Sequence, residues 1–177
     1  MTQVLRGNIV HAPKMGELSI LEHGFLVLED GVIQAVCPSL PQGLEGAELR
    51  DYGDRLLMQS FVDMHLHAPQ YPMLGMGMDL PLIDWLNTYT FPEESKYEDL
   101  SYAETAYESF VSRLARSTTT RACIFATLHV PATLLLMQKL EDAGLDTYVG
   151  KVNMNRNCPV YLREISTNQA IRDLSLI

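Results

Sequence analysis

The sequence predicts an α/β protein in which a small β-unit, residues 1–55, precedes the first part of a β/α barrel, residues 56–177. Two observations predict this class. From residue 56 onward, apolar strand segments alternate with helical segments, the pattern of a parallel sheet with right-handed crossovers. His65 and His67 directly follow the first apolar run of this part. Metal ligands at the C-terminal end of a strand are typical of the active face of such a barrel.

The N-terminal segment has the features of a small antiparallel unit. Short apolar runs occupy residues 4–11 and 24–36, and the dipeptide Asp30-Gly31 lies between two of them. An Asp-Gly pair in this position predicts a hairpin, because both turn residues need a positive φ. Residues 37–55 contain five prolines and glycines, which predicts a loop that links this unit to the barrel part.

The barrel part begins with a predicted strand over residues 56–67, which carries the two histidines at its end. The sequences of strands that are packed on both faces are nearly continuous runs of apolar residues. Capping residues, glycines and hydrophobic spacing then predict an alternation of elements. They are a loop or lid over 68–80, a short helix capped by Asp79, a helix over 99–116 capped by Asp99 or Ser101, a strand over 118–129, a helix over 131–143 closed by Gly144, a strand over 146–154, and a helix begun by Ser166 or Thr167. For the methionines of the 68–80 segment, filling gaps in a core is favoured over the alternative of lining a pocket.

Composition excludes several classes of function. The chain of 177 residues has a formal charge of −9, and it lacks the basic run that binding to nucleic acid requires. No apolar stretch approaches the ~20 residues that a membrane helix needs. The first residues do not have the pattern of a signal peptide, and three scattered cysteines favour reduced thiols. Together these features predict a cytoplasmic protein.

The two histidines are the candidate metal ligands. Side chains at positions i and i+2 of a strand point to the same face, so His65 and His67 can reach one cation. Imidazole suits zinc or iron. Asp63 is expected to make a backbone or loop contact rather than to bind metal. His129, at the end of the next predicted strand, is expected to be a satisfied structural or second-layer histidine.

A longer stretch of sequence resembles a known family. Residues 62–92, VDMHLHAPQYPMLGMGMDLPLIDWLNTYTFP, are similar to guanine deaminases of the amidohydrolase superfamily. The similarity continues through Thr118-Thr119-Thr120, through FATLH at 125–129 and into GKVNMN at 150–155. The elements HLHAPQY and DLPLxxWLxxYTFP separate guanine deaminases from a superfamily that otherwise shares only the HxH pair.

The resemblance implies a β/α barrel flanked by a small β-sandwich. It implies one catalytic metal, zinc or alternatively iron(II), and hydrolysis of guanine to xanthine and ammonia. His65 and His67 match the first metal ligands, and Gln70 matches a residue that hydrogen-bonds the purine. Leu82 and Trp85 fall in a segment that walls the guanine pocket, although core packing is an equal alternative for Trp85. The intact enzymes of this family are commonly homodimers.

The chain departs from the family pattern in three ways. Residues 170–177, AIRDLSLI, fit the expected helix only loosely. Gln59-Ser60 replaces a Pro-Gly turn, which would strain the backbone if that turn needs a positive φ. The family's remaining ligands, two histidines and an aspartate, cannot be placed, nor can its glutamate proton shuttle or the Arg-Phe pair that grips the base. We therefore expect an N-terminal portion of a deaminase that is inactive alone. The alternatives are another deaminase of the superfamily, or a non-catalytic remnant or binding fragment.

Overall fold

A computed structural model describes all residues, 1–177, and the chain divides into two compact units, residues 1–59 and 60–177. The first unit is a four-stranded sheet with the strand order β3-β2-β1-β4. Its strands are β1 (Thr2–His11), β2 (Ser19–Glu29), β3 (Val32–Cys37) and β4 (Glu48–Met58). The first three strands are antiparallel neighbours, whereas β4 runs parallel to β1.

The predicted hairpin at Asp30-Gly31 is confirmed. Both residues adopt a positive φ, 48° for Asp30 and 81° for Gly31, and they join β2 to β3. A left-handed backbone costs glycine nothing and is better tolerated by aspartate than by most other residues. The turn therefore follows from local residue chemistry, as the sequence indicated.

The prediction of a loop over residues 37–55 is wrong for its second half. Strand β4 begins at Glu48 and ends at Met58, and it pairs with β1 on either side of an irregularity between Arg6 and Asn8. Its residues are mostly exposed, and five of the eleven are charged, so no hydrophobic alternation marks it. Backbone hydrogen bonds to β1 make it a strand, and such long-range pairing leaves no local signal.

The strand predicted over residues 56–67 is in fact two strands. Residues 56–58 end β4 of the first unit, and β5 (Phe61–His67) begins the second unit. The predicted boundary at residue 55 therefore lies inside β4, and the units separate between Gln59 and Ser60. Neither of these two residues has a positive φ, so the replaced Pro-Gly turn introduces no left-handed strain.

The second unit is built on a three-stranded parallel sheet with the order β5-β6-β7, which confirms the α/β class. Helices connect and follow the strands, as right-handed crossover units require. The remaining elements are β6 (Thr119–Phe125), β7 (Asp146–Gly150), α1 (Leu82–Trp85), α2 (Phe91–Ser95), α3 (Leu100–Ala115), α4 (Val130–Asp142) and α5 (Thr167–Leu174), with 3₁₀ turns at Ala68–Met73, Lys96–Glu98 and Val160–Leu162 and a π-helical turn at Leu86–Thr90.

Helices α3 and α4 cover one face of this sheet. Buried residues of β6, Ala122 and Ile124, join a core with Phe110 of α3 and with Leu136 and Leu140 of α4. The opposite face, which we call the open face, carries aromatic side chains and the histidine pair. Its residues include Phe61, His65, His67, Phe125 and Tyr148, of which Phe125 is 39% exposed and Tyr148 76%.

Helix termini follow the predicted capping residues in three of four cases. The Asp99 carboxylate accepts a hydrogen bond from the backbone N–H of Ser101 at 2.8 Å, and the Ser166 hydroxyl accepts one from Gln169 at 3.2 Å. Gly144, with φ of 72°, follows α4. The prediction for Asp79 is wrong, because Pro81 precedes α1 and supplies its preset φ instead of a capping hydrogen bond.

Two predicted strands are shorter in the structure. Strand β6 ends at Phe125 and β7 at Gly150, so His129 lies beyond its strand, at the N-cap position of α4, without a capping hydrogen bond from its side chain. No helix of the chain is both long enough and apolar enough to cross a membrane.

We expect Leu136→Ala to reduce the free energy of unfolding by about 2–5 kcal/mol, because it opens a cavity in the core between sheet and helices. Leu136 is fully buried in α4. Leu134→Ala on the same helix is the matched control, since Leu134 is exposed, and it should cost at most about 1 kcal/mol. Urea denaturation followed by circular dichroism measures both values. Equal losses in the two variants would contradict this packing.

Candidate metal centre

The two imidazole rings of the HxH motif converge at the end of β5. The Nε2 atoms of His65 and His67 are 3.3 Å apart, on the open face of the sheet. Two nitrogens bound tetrahedrally to one zinc at 2.0–2.1 Å would be about 3.3–3.4 Å apart. The spacing of the pair therefore fits two ligands of a single ion.

Phe125 of the neighbouring strand holds these rings from one side. The parallel register pairs His67 with Phe125, and their rings stack with centroids 4.8 Å apart and planes inclined by 14°. The His65 ring lies 4.9 Å from the same phenyl ring. Burial, and then the neighbouring His65, lower the pKa of His67 below its usual value. The neutral imidazole that results is the form that binds a metal.

Asp63 has the backbone role that the sequence predicted. Its carboxylate accepts a hydrogen bond from the backbone N–H of His65 at 3.0 Å. This contact holds the backbone of β5 at the first histidine. No group of three or more His, Cys, Asp or Glu side chains in the chain is arranged around one point. The chain thus offers two imidazole ligands, one fewer than catalytic zinc sites usually have.

Gln70 lies directly beyond the histidine pair, on the 3₁₀ turn Ala68–Met73. The buried Tyr97 hydroxyl donates to the carbonyl oxygen of Pro69 at 3.2 Å and anchors this turn. Gln70 is half-buried, and helix α2, which carries Glu94, packs against the same turn. Glu94 is only 5% exposed, and burial raises its pKa to about 7, against the opposing effect of Gln70.

The segment predicted to wall a pocket is held in place by Trp85. The indole Nε1 of Trp85 donates to the carbonyl oxygen of Met76 at 2.8 Å. Gly77, between these contacts, has φ of 63°, and a Cβ there would lie 2.3 Å from the Tyr89 ring, so this position requires glycine. Leu82 is largely exposed. Trp85 is half-buried, so its side chain contributes both to local packing and to the surface.

The methionines of the 68–80 segment divide between two environments. Met73 is buried, as predicted for flexible thioether side chains that fill gaps. Met76 and Met78 are exposed. The core-filling role therefore holds for one methionine of the three.

His129 is not the satisfied histidine that the sequence suggested. Its backbone N–H donates to the Thr127 hydroxyl at 3.0 Å, but its ring Nε2 is buried without a hydrogen-bond partner. Burial is the largest cause of its lowered pKa, which favours the neutral ring. A neutral imidazole tolerates an unpaired acceptor better than a cation tolerates burial.

Lys151 and Glu164 form a buried ion pair just after β7. Their side chains are 0% and 3% exposed, and Nζ lies 2.5 Å from Oε1. Lys151 also donates to Val152 O and Asn153 Oδ1, and the second oxygen of Glu164 accepts from the backbone N–H of Met154. This network closes the loop between β7 and α5. The charged partners are 13 residues apart, so the sequence alone did not reveal it.

Comparison with known proteins identifies the family. Residues 56–175 match the family model described as the amidohydrolase family, which is more than half of the chain. The chain belongs to the amidohydrolase family. This amidohydrolase chain is 36% identical to the guanine deaminase of Dictyostelium discoideum, over 96% of the chain and 41% of that protein. It is 34% identical to a probable guanine deaminase of Schizosaccharomyces pombe, over 95% of the chain and 34% of that protein.

A solved structure agrees with these relatives. The guanine deaminase from C. acetobutylicum, crystallised with guanine bound in its active site, matches with a TM-score of 0.94 and 36% identity. The match covers 99% of this amidohydrolase chain and 42% of that chain. The resemblance to guanine deaminases predicted from HLHAPQY is confirmed. The chain spans roughly a third to two fifths of the length of the curated relatives it matches.

Sequence reasoning missed Glu94 and the Lys151–Glu164 pair. Glu94 lies in the segment FPEES, where two adjacent glutamates are typical of the solvent-exposed first turn of a helix. A glutamate in the first turn of a short helix is ordinarily exposed. Only the packing of α2 against the 3₁₀ turn shows that both glutamates are buried.

Proposed function

We propose that this chain forms the N-terminal part of a zinc-dependent guanine deaminase, which hydrolyses guanine to xanthine and ammonia. The observation that supports this most directly is the convergence of His65 and His67, whose Nε2 atoms are 3.3 Å apart within the motif HLHAPQY. The identity of 36% to the Dictyostelium enzyme supports the substrate class.

In this proposal, His65 and His67 hold the metal as neutral imidazoles, and stacking on Phe125 keeps the His67 ring oriented. Zinc is the metal we favour, and iron(II) is the alternative, because imidazole ligands suit both. A zinc ion bound in such a site lowers the pKa of water to near 7 and so supplies hydroxide at neutral pH.

Gln70 is proposed to recognise the purine. An amide side chain both donates and accepts, so it can pair with a base edge that carries both kinds of group. Leaving such a group unpaired in a buried site costs about 1–3 kcal/mol, which discriminates against the wrong base. Trp85 and Leu82 are proposed to wall the pocket, and the exposure of Leu82 leaves it free to contact a ligand.

The sheet of the second unit is proposed to be the first three strands of a β/α barrel. Its open face carries aromatic side chains in contact with water, whereas parallel sheets are normally covered on both faces. Further barrel strands would enclose this face and bring additional ligands to the histidine pair. The four-stranded sheet of residues 1–59 is proposed to belong to a β-sandwich, and the whole enzyme to be a cytoplasmic homodimer.

The experiment that tests this function is a chimera. Residues 1–177 replace the matching part of the C. acetobutylicum guanine deaminase, which they cover with a TM-score of 0.94. We expect the purified chimera to bind about one zinc per chain and to convert guanine to xanthine and ammonia. The 177-residue chain alone should not do so, because it has only two of the usual three protein ligands.

Parallel assays with adenine, cytosine and a triazine separate the alternatives. Turnover of one of these in place of guanine would assign another deaminase specificity to residues 1–177. A folded chimera that neither binds zinc nor deaminates any of these bases would favour a non-catalytic binding or remnant role. Rapid guanine turnover by the isolated chain would disprove the expectation that it is incomplete.

A further inference from the structure

The strand that carries the histidine pair does not pair regularly with its neighbour. Asp63 of β5 is the register partner of Ala122 in β6, and the next partners along the two strands are Leu66 and Ile124. Between these partners, two residues of β5 lie opposite one residue of β6. This arrangement is a β-bulge, and bulges often redirect a side chain next to an active site.

The bulge decides which face of the sheet the histidines occupy. Register partners in a parallel sheet point to the same face, so Leu66 points with Ile124 into the core, and His67 points with Phe125 to the open face. Without the extra residue, the same register would pair His65 with Ile124 and Leu66 with Phe125. A slip by one residue exchanges the two faces of a strand. Both imidazoles would then point into the core.

The side chain of Asp63 closes this bulge. Its Oδ1 accepts a hydrogen bond at 3.0 Å from the backbone N–H of His65, within the irregular segment. Short carboxylate and amide side chains commonly bind the backbone N–H two residues further on, and the contact imposes a local turn on the chain. Because the extra residue of a bulge is left unpaired in the ladder, this side-chain acceptor stabilises the backbone at that point.

We infer that Asp63 is a positioning residue, which stabilises the bulge in β5 and thereby directs the imidazoles of His65 and His67 to the open face. Their Nε2 atoms, 3.3 Å apart, can share one ion only while both rings lie on the same side of the strand. The inference takes the metal-binding role of the two rings from the proposed function, whereas the register and the Asp63 contact stand on the structure. Asp63 acts through the backbone and is not itself a ligand.

Two substitutions separate the local contact of Asp63 from its charge. Asp63→Asn removes the charge but keeps a side-chain oxygen at the same distance from the backbone, so it should preserve the bulge. Asp63→Glu keeps the charge, but its longer side chain is not one of those that make this short contact. Asp63→Asn should therefore behave like the unsubstituted chain, and Asp63→Glu should not.

The first measurement is nuclear magnetic resonance of the His67 ring protons in the 177-residue chain. The Phe125 ring stacks on His67 with centroids 4.8 Å apart, so its ring current should shift these protons upfield, and Phe125→Leu gives their unshifted position. Asp63→Asn should retain the upfield shift, whereas Asp63→Glu should lose most of it. Retention of the shift in Asp63→Glu would overturn the inference. Its loss in Asp63→Asn would do so as well, even if Asp63→Glu does not fold.

The zinc affinity of the chimera connects the bulge to the metal. Competition with a chelator should show that Asp63→Glu weakens zinc binding by about 10- to 100-fold, the usual effect of losing a residue that supports a ligand. Asp63→Asn should stay within about threefold, as should the control Asp54→Ala at an exposed position of β4.

Weaker zinc binding in Asp63→Asn than in Asp63→Glu would assign the effect to the charge of Asp63 and overturn the inference. Equal zinc affinity in all of these variants would overturn it too. If the unsubstituted chimera neither binds zinc nor deaminates guanine, the proposed function fails, while the His67 ring protons still decide whether Asp63 directs the histidine pair.

Discussion

Replacing His67 with asparagine is expected to abolish guanine deamination by the chimera and to remove its bound zinc. His67 supplies one of two Nε2 atoms that lie 3.3 Å apart and that we propose as ligands of one ion. Loss of a residue that only supports a ligand typically costs about 10- to 100-fold in metal affinity or activity. Loss of a ligand itself should exceed that range.

The measurement combines metal analysis of the purified protein with xanthine formation at saturating guanine. His65→Asn should behave in the same way, because its nitrogen occupies the second position of the pair. His23→Asn is the control. His23 is an exposed residue of the first unit with φ of 52°, a conformation that asparagine accepts readily. Full zinc content and full activity in His67→Asn would refute the assignment of this residue to the metal.

Breaking the Lys151–Glu164 pair is expected to have the largest effect on stability. Both side chains are buried, and their charged atoms are 2.5 Å apart. Removing one partner of such a pair leaves an uncompensated buried charge, which typically costs about 3–5 kcal/mol. We therefore expect Lys151→Met to lower the free energy of unfolding by that amount, measured by urea denaturation of the 177-residue chain.

The double variant Lys151→Met/Glu164→Leu tests the reason for this loss. Because it removes both charges, it should be less destabilising than Lys151→Met alone. The exposed pair Arg121–Asp146, at 2.7 Å, provides the control, and Asp146→Asn should cost at most about 1 kcal/mol. If the double variant were less stable than either single variant, packing rather than charge compensation would account for the effect.

The histidine pair and the buried ion pair both lie at the C-terminal ends of the parallel strands. The histidine pair is at the end of β5, and the ion pair follows the end of β7. The first is expected to change metal content and activity, and the second the stability of the loop before α5. Full zinc content of the chimera that carries Lys151→Met, together with the loss of stability in the 177-residue chain, would show that the second effect is independent of the metal.

Several elements were predictable because their signals are local. The hairpin at Asp30-Gly31 follows from the φ that its turn requires, and the start of α3 follows from the capping carboxylate of Asp99. The convergence of His65 and His67 follows from strand periodicity, since alternate residues share a face. The motif HLHAPQY was long enough to indicate the family.

Other features depend on which distant segments come together. Strand β4 is mostly exposed and lacks a hydrophobic alternation, so only its pairing with β1 defines it and separates it from β5. Phe125 contacts His67 because the β5–β6 register places them side by side. The buried state of Glu94 requires α2 to pack on the turn that carries Gln70.

The sequence by itself determined the α/β class, the alternation of strands and helices in the second part of the chain, and the two imidazoles available to a metal. These properties follow from the spacing of residue types along the chain and from the conformational preferences of single residues. The tertiary structure alone decided that Glu94 is buried and that Lys151 meets Glu164. The physical reason is that burial and pairing of charges are set by contacts between residues far apart in the chain, and residue type does not encode them.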